Sequence, residues 1–234
     1  MSCRIWYNSH MNENFSEWND VNQKFELLYQ STYNYRDFDE FENQWKTIFT
    51  NFGLTQDYFN EQVLVDIGCG SRPALSYFSE NNEKHCVEPL LSELMKITKS
   101  PDKEQPGRTR WSEEPNLPTI SVRKWFTEEP YFLHPLAYET NIPRLNNYCD
   151  FILCWNVLDH GYDWRAGVRN MVSYLKPGGL LLLATDYEAH KYHIGIDNPE
   201  ELTERIENNF DILKTRENTK ALWDRDYMVL ARKK

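Results

Sequence analysis

The sequence predicts an α/β fold in which helices cover both faces of a mainly parallel sheet. Short apolar runs rich in β-branched residues, typical of buried strands, alternate with segments of helical periodicity. Such alternation is the pattern of strands joined through crossover helices. The first strand run, residues 62–68 (QVLVDIG), leads directly into a glycine-rich turn. A chain of 234 residues is long enough to bury a substantial core around such a sheet.

A polar, aromatic-rich region precedes the first strand. Between Asn12 and about Phe59, apolar residues recur at helical spacing, which predicts one or two amphipathic helices. Gly53 is expected to end the second helix. We predict a helical N-terminal cap over residues 1–60 and a ligand-binding domain over residues 61–234. Its aromatic side chains either close over a pocket or pack the helices, and they are Trp18, Phe25, Tyr29, Tyr33, Tyr35, Phe38, Phe41 and Trp45.

The elements after the first strand are predicted from the same patterns. A helix is expected at residues 74–79, behind Pro73, followed by a strand at 84–88 and a helix at 89–99. Residues 100–147 contain seven prolines and form an expected insertion, with possible short strands at 120–126 and 136–138.

The C-terminal half returns to a clear pattern. A strand is predicted at residues 148–155 (YCDFILCW), a helix at 164–175, and a turn running into a strand at 175–186 (LKPGGLLLLATD). A helix follows at 200–208 behind a good capping pair, Asn198 and Pro199. The last two strands, at 210–215 and 226–231, form an expected hairpin.

Composition narrows the classes of partner. The net charge of −10 argues against nucleic acid as the main partner, because phosphate contacts need clustered lysine and arginine. The five cysteines form no CxxC pair, and no run approaches the ~20 apolar residues of a membrane span. We therefore expect a soluble cytoplasmic protein with reduced thiols. Its expected partner is a small-molecule or glycan substrate, and its oligomeric state stays open.

The turn after the first strand predicts a ligand site. Gly68 and Gly70 allow a ligand to approach the backbone, and Glu88 ends the next predicted strand, where a carboxylate can bind ribose hydroxyls. Asp66 would repel a pyrophosphate but suits a ligand that carries an ammonium or a sulfonium. These residues favour S-adenosylmethionine over a dinucleotide.

Four segments together resemble a known family. Residues 63–73 (VLVDIGCGSRP), 86–89 (CVEP), 148–160 (YCDFILCWNVLDH) and 174–186 (YLKPGGLLLLATD) resemble, in order and spacing, motifs of class I S-adenosylmethionine-dependent methyltransferases. The resemblance is greatest to the small-molecule branch often called type 11. It implies a Rossmann-like, seven-stranded, mostly parallel sheet with a reversed last strand and an N-terminal helical extension. It also implies S-adenosyl-L-methionine as cofactor.

The resemblance assigns cofactor contacts by position. The glycine turn and its preceding acid would hold the amino acid end, the second-strand acid the ribose, and the backbone after the fourth strand the methionine portion. The acid of the adenine loop sits one place early here, and Arg72 replaces the third glycine, as in some proteins that resemble sugar and surface-polysaccharide methyltransferases. The implied cofactor-binding residues are Asp66, Gly68, Gly70, Glu88, Glu139, Cys154, Trp155 and Asn156.

An alcohol acceptor must lose its proton, which usually recruits histidine or a carboxylate. His160 is the first candidate for the base, and His190, His193 and Asp159 are the others; each could instead be a structural loop residue. His190, His193 and the carboxylates near them could also bind a divalent metal, as in some sugar methyltransferases, but their spacing is not diagnostic, so no metal ligand is assigned. We expect methyl transfer to a hydroxyl of a sugar, glycan or similar small molecule. The alternatives are an N- or O-methyltransferase of a secondary metabolite and a non-catalytic cofactor-binding subunit.

Overall fold

The computed structural model describes residues 18–32, 38–96, 98–99, 120–121, 126, 131–189, 193–215 and 225–234. Nine strands occur among these residues: β1 (Val63–Ile67), β2 (Glu83–Val87), β3 (Thr98–Lys99), β4 (Ile120–Ser121), β5 (Tyr131–His134), β6 (Cys149–Trp155), β7 (Leu175–Thr185), β8 (Phe210–Thr215) and β9 (Tyr227–Lys233). Seven of them form one sheet in the order β5-β2-β1-β6-β7-β9-β8, and β3 pairs with β4 separately.

The direction of the strands confirms the predicted Rossmann-like sheet. The five strands from β5 to β7 are parallel, whereas β9 runs antiparallel to both β7 and β8. Strand order reverses between β1 and β6, so a crevice opens there beyond the carboxyl ends of the strands. Ligands of open α/β sheets bind in that position.

The helices of the described residues include α1 (Gln23–Thr32), which continues a π-helical turn at Trp18–Asn22, α2 (Phe38–Asn51), α3 (Leu91–Leu94), α4 (Trp164–Tyr174) and α5 (Pro199–Asn209). The side chains of Asp163 and Asn198 cap α4 and α5 by accepting hydrogen bonds from backbone N–H groups. Among the described residues, no helix is both long and apolar enough to cross a membrane.

The core lies on both faces of the sheet. Successive residues of β6 point to opposite faces, and Phe151 and Ile152 are both fully buried. Ile152 packs in the cluster beneath α4 and α5, whereas Phe151 packs with Phe49 of α2. Burial on both faces explains why the central strands are almost continuously apolar in sequence. The packing of Phe49 and Phe151 in one cluster also places α2 against the sheet. The domain boundary at residue 60 stays a prediction.

Most predicted elements are confirmed. The strands at β1, β2 and β6, the helices α4 and α5, and the final hairpin lie where the patterns placed them. Gly53 follows the end of α2 with a positive φ of 79°, as a helix-ending glycine does.

Three expectations were wrong, and one falls largely outside the described residues. Residues 74–79 form only a 3₁₀ turn at Ala74–Tyr77, whose three-residue repeat buries Leu75 and Phe78 together. The helix at 89–99 shrinks to α3. The segment 136–138 forms a bend and a turn instead of a strand, and the edge strand β5 precedes it. Much of the insertion at 100–147 lies outside the described residues.

Candidate active site

A cavity of about 400 Å³ opens at the carboxyl edge of the sheet, beside the reversal of strand order. Its volume falls within the ~300–1,000 Å³ of ordinary small-molecule sites. The wall combines the glycine turn, the residues that follow β2 and β6, and side chains from α1 and α2. Aromatic residues form much of this wall: Trp18, Phe25, Tyr29, Phe41, Trp45, Tyr138 and Trp155.

The turn after β1 requires its glycines. Gly68 and Gly70 have positive φ angles of 72° and 60°, and both line the cavity. A Cβ atom at Gly68 would lie 2.3 Å from Cγ2 of Val157, a residue of the loop after β6. The Gly68 N–H donates to the carbonyl of Val87 at 2.8 Å. The turn is therefore held between the two strands that flank it.

Asp66 braces the chain that leaves this turn. Its side chain is buried, and Oδ2 accepts a hydrogen bond from the backbone N–H of Ala74 at 3.0 Å. Burial, aided by the charge of Glu88, raises the pKa of Asp66 to about 8. Asp66 is absent from the described residues that line the cavity. A direct contact between its side chain and the cofactor therefore stays a prediction.

Glu88 lies in the cavity wall, directly after β2. One carboxylate oxygen accepts a hydrogen bond from the N–H of Gly70 at 3.2 Å, and the other accepts one from Leu90 at 3.0 Å. Burial raises the pKa of Glu88 to about 7. The structure thus places this carboxylate where the sequence predicted it, in contact with the glycine turn.

Glu139 also reaches the cavity, although its position in the sequence is one place early. Its Oε1 accepts a hydrogen bond from the N–H of Tyr162 at 2.8 Å. Its Oε2 is buried and has no hydrogen-bond partner among the described residues. Burial raises the pKa of this carboxyl to about 7. A buried acceptor without a donor is costly, and a ligand that donates a hydrogen bond would remove that cost.

Only two of the three residues predicted at the end of β6 line the cavity. Trp155 and Asn156 line the cavity, and the indole N–H of Trp155 and Oδ1 of Asn156 have no hydrogen-bond partner among the described residues. Asn156 takes a positive φ of 58°, as asparagine tolerates better than most residues. Cys154, by contrast, is fully buried in the core and is not part of the described wall.

Three of the predicted catalytic candidates form one cluster beside the cavity. Oδ2 of Asp159 lies 3.0 Å from Nδ1 of His193 and 3.6 Å from Nε2 of His160. Oδ1 of Asp159 accepts a hydrogen bond from the hydroxyl of Thr185 at 3.1 Å. The two imidazole rings overlap, with 3.7 Å between their centroids. The fourth candidate, His190, lies outside the described residues.

A fourth member of this cluster, Glu26, is one that sequence reasoning missed. Its Oε2 lies 3.6 Å from Nδ1 of His160, although it belongs to the N-terminal helix α1. Burial lowers the pKa of His160, but Glu26 and Asp159 outweigh burial and raise it overall. Burial likewise raises the pKa of Glu26, but its contacts with His160 and Gln30 lower it overall. The helical spacing of α1 was visible in the sequence, but no local signal pointed to this pairing.

The N-terminal helices cover the glycine turn. Oε1 of Gln30 accepts a hydrogen bond from the hydroxyl of Ser71 at 2.9 Å, and its Nε2 donates to Glu26 at 2.7 Å. The guanidinium of Arg72, at the third glycine position, lies 4.2 Å from the ring centroid of Phe41 in α2. Arg72 therefore links the glycine turn to α2, one of the helices that cover it. Tyr33, Tyr35 and the side chain of Phe38 lie outside the described residues.

Comparison with known proteins agrees with this architecture. A family model described as a methyltransferase domain matches residues 38–210. No curated protein matches the chain significantly.

Solved structures share the fold at low sequence identity. One is a 1,6-didemethyltoxoflavin-N1-methyltransferase of Burkholderia thailandensis with bound S-adenosylhomocysteine (13% identity, TM-score 0.54, 100% of this chain and 91% of that one). Another is the N-methyltransferase NodS of Bradyrhizobium japonicum WM9, in complex with S-adenosylhomocysteine (12%, 0.54, 83% and 86%). A third is a SAM-dependent methyltransferase of Aquifex aeolicus (16%, 0.51, 84% and 93%). At these identities the likeness shows the fold.

Proposed function

This chain belongs to the methyltransferase-domain family and is an S-adenosylmethionine-dependent methyltransferase, and we propose that it methylates a hydroxyl of a sugar, a glycan or a similar polar small molecule. The observation that carries the proposal is the cluster of Asp159, His160 and His193 beside the cavity. An alcohol must lose a proton to become a good nucleophile, and this cluster provides groups that can bind a proton or stabilise an alkoxide.

The residues of the cavity fit the cofactor. Glu88 would accept hydrogen bonds from the ribose hydroxyls, since its carboxylate already lies in the wall beside the glycine turn. The unpartnered Oε2 of Glu139 would accept one from the amino group of adenine. Oδ1 of Asn156 would serve the ammonium of the methionine portion in the same way. When bound, the cofactor supplies a methyl group carried by a positively charged sulfur. The sulfur keeps the electron pair of the broken bond between sulfur and carbon.

The protein's part in the reaction is alignment, exclusion of water and handling of the proton. The glycine turn and the loop after β6 form one side of the cavity, and α1 closes the other side through Gln30. The hydroxyl proton leaves at the cluster as the new bond between oxygen and methyl carbon forms. Our first candidate for its acceptor is the imidazole of His160, with His193 next to it.

The aromatic wall favours a sugar as acceptor. Flat rings bury the apolar C–H faces of a sugar, while its hydroxyls need polar partners nearby. The cavity offers both, because seven Phe, Tyr and Trp side chains line it together with the carboxylates Glu26 and Glu139. The N-methyltransferases that share the fold carry no information about this acceptor at 12–13% identity.

The test is transfer of an isotopically labelled methyl group from S-adenosylmethionine to panels of sugars, glycans, polyols and amines. We expect label in an O-methyl ether, lost in Asp159→Asn while S-adenosylhomocysteine still binds. Transfer to amines alone would overturn the hydroxyl acceptor. Cofactor binding without transfer to any panel would instead favour a non-catalytic partner subunit.

A further inference from the structure

We propose that Asp159, His160 and His193 bind a divalent first-row transition metal ion, which in turn binds the acceptor oxygen. Each side chain offers one ligand atom, and the three atoms lie within 4.8 Å of one another. This inference deepens the proposed function and rests on its hydroxyl acceptor. The sequence alone assigns no metal ligand, because His193 follows the strand after the one that leads to Asp159 and His160.

Asp159 and His193 approach each other as closely as two ligands of one metal ion do. Oδ2 of Asp159 is buried and lies 3.0 Å from Nδ1 of His193. A shared ion would hold both atoms at such a distance. With metal–ligand distances of about 2.0–2.2 Å, neighbouring ligand atoms lie roughly 3 Å apart.

The groups behind the three ligands match those that support metal sites. A metal-binding histidine usually donates its second ring N–H to a carboxylate, and a ligating carboxylate is itself hydrogen-bonded. Nδ1 of His160 faces Oε2 of Glu26 at 3.6 Å. Its Nε2 lies 3.6 Å from Oδ2 of Asp159 and 3.4 Å from the amide nitrogen of Asn156, a contact that a bound ion would replace. Oδ1 of Asp159 accepts the hydroxyl of Thr185, which orients Oδ2.

The backbone holds the two ligand-bearing loops together. The N–H of Gly195 donates to the carbonyl of Asp159 at 2.9 Å, two residues beyond His193. Gly195 has a positive φ of 79°, and a Cβ atom there would lie 2.7 Å from the backbone N of Ala189. The loop after β7 is therefore shaped to bring His193 against Asp159.

A second histidine pair shows the contrast. Nδ1 of His85 and Nε2 of His134 form a hydrogen bond of 3.0 Å, and Nε2 of His85 is 2.7 Å from Glu83. Although His85, His134 and Glu83 lie this close, they do not bring three ligand atoms together. Among the described residues, only the cluster at Asp159 brings together three possible metal ligands.

The donor set indicates the class of ion. Two imidazole nitrogens and one carboxylate oxygen suit zinc, cobalt, nickel or iron better than magnesium or calcium. Three protein ligands leave coordination positions open for an acceptor oxygen. A bound cation weakens the O–H bond of a coordinated hydroxyl. With the ion bound, His160 and His193 serve as ligands and no longer as the proton acceptors named above. The proton passes to water, the oxygen bonds to the methyl carbon, and the sulfur keeps the electron pair, so no oxidant or reductant is required.

The experiment measures binding of Zn²⁺ by calorimetry and of Co²⁺ by its visible absorption, using full-length protein dialysed against a chelator. We expect one ion per chain in the wild type, and at least tenfold weaker binding in Asp159→Asn and His193→Ala. Thr185→Val should weaken binding about tenfold, since its hydroxyl orients Asp159 without being a ligand itself. His85→Gln is the matched control and should bind like the wild type. Binding of S-adenosylhomocysteine and circular dichroism check that each variant is folded.

Absence of metal binding in the wild type, or equal binding in Asp159→Asn, would overturn the inference, as would loss of binding in His85→Gln. Methyl transfer separates this inference from the proposed function. Full turnover on a hydroxyl acceptor in the presence of chelator would rule out a role for the metal but would support the proposed hydroxyl acceptor. Specific metal binding without methyl transfer to any hydroxyl would support the metal site but rule out the proposed hydroxyl acceptor.

Discussion

Replacing Glu88 tests the cofactor site most directly. Its carboxylate lines the cavity and accepts hydrogen bonds from Gly70 and Leu90. A hydrogen bond to a charged group contributes ~1.5–3 kcal/mol, so its loss weakens binding roughly 10- to 150-fold. Glu88→Gln keeps one acceptor and should fall near the lower limit. Glu88→Ala also removes the acceptor that holds the glycine turn, and should bind more weakly still.

The pH dependence of binding gives the same prediction a second readout. Burial raises the pKa of Glu88 to about 7, so the free protein is partly protonated at neutral pH. The ribose hydroxyls donate to the charged carboxylate, so binding favours its deprotonated form. Affinity should therefore rise as the pH increases toward about 7 and level off above it. Glu88→Gln should lose that part of the dependence.

The assay is calorimetry with S-adenosylhomocysteine between pH 5.5 and 8.5. Glu139→Gln is the matched control, because Glu139 is a second carboxyl of the cavity whose pKa burial raises to about 7. Its substitution should weaken binding without removing the contribution of Glu88. Unchanged affinity in Glu88→Ala, or the same pH profile in wild type and Glu88→Gln, would refute the assignment of the ribose to Glu88.

Three further predictions follow from named contacts. Gly68→Ala should destabilise the protein more than Gly53→Ala in urea unfolding, because both have positive φ but only Gly68 meets Val157, whereas nothing lies within 4 Å at Gly53; equal losses would contradict the close packing. Burial, with the charges of Arg144 and His85, lowers the pKa of His134 to about 4. The unfolded chain therefore binds more protons between about pH 6.5 and 4, so stability should fall as the pH drops through that range, and a chemical-denaturation profile of His134→Gln that falls as steeply would count against this cause. Hydrogen exchange in α1 should slow when S-adenosylhomocysteine binds, since Gln30 of α1 contacts the glycine turn; unchanged protection would remove the idea that α1 closes the pocket.

Local patterns were enough to predict the parallel sheet. β1 and β6 are buried on both faces and so read as apolar runs, and α5 begins at a capping asparagine followed by proline. The same patterns failed at residues 136–138. The apolar residues there belong to a loop that contains Tyr138. The hydroxyl of Tyr138 donates a hydrogen bond to the carbonyl of Leu158 at 2.9 Å. Apolar character predicts burial, but it does not say whether the buried residue lies in a strand.

In the candidate site, too, local sequence patterns predicted some residues, and only the tertiary structure identified the others. The sequence by itself determined the glycine turn and Glu88, because a turn with positive φ angles and a carboxylate at the end of the next strand leave local signals. Only the tertiary structure decided that Glu139 reaches the cavity, that Cys154 does not, and that Arg72 packs on α2. It alone brought Glu26 of α1 to His160 and His193 to Asp159. Contacts between residues distant in the chain depend on how helices and loops pack at the edge of the sheet, and no periodicity within one segment encodes that packing.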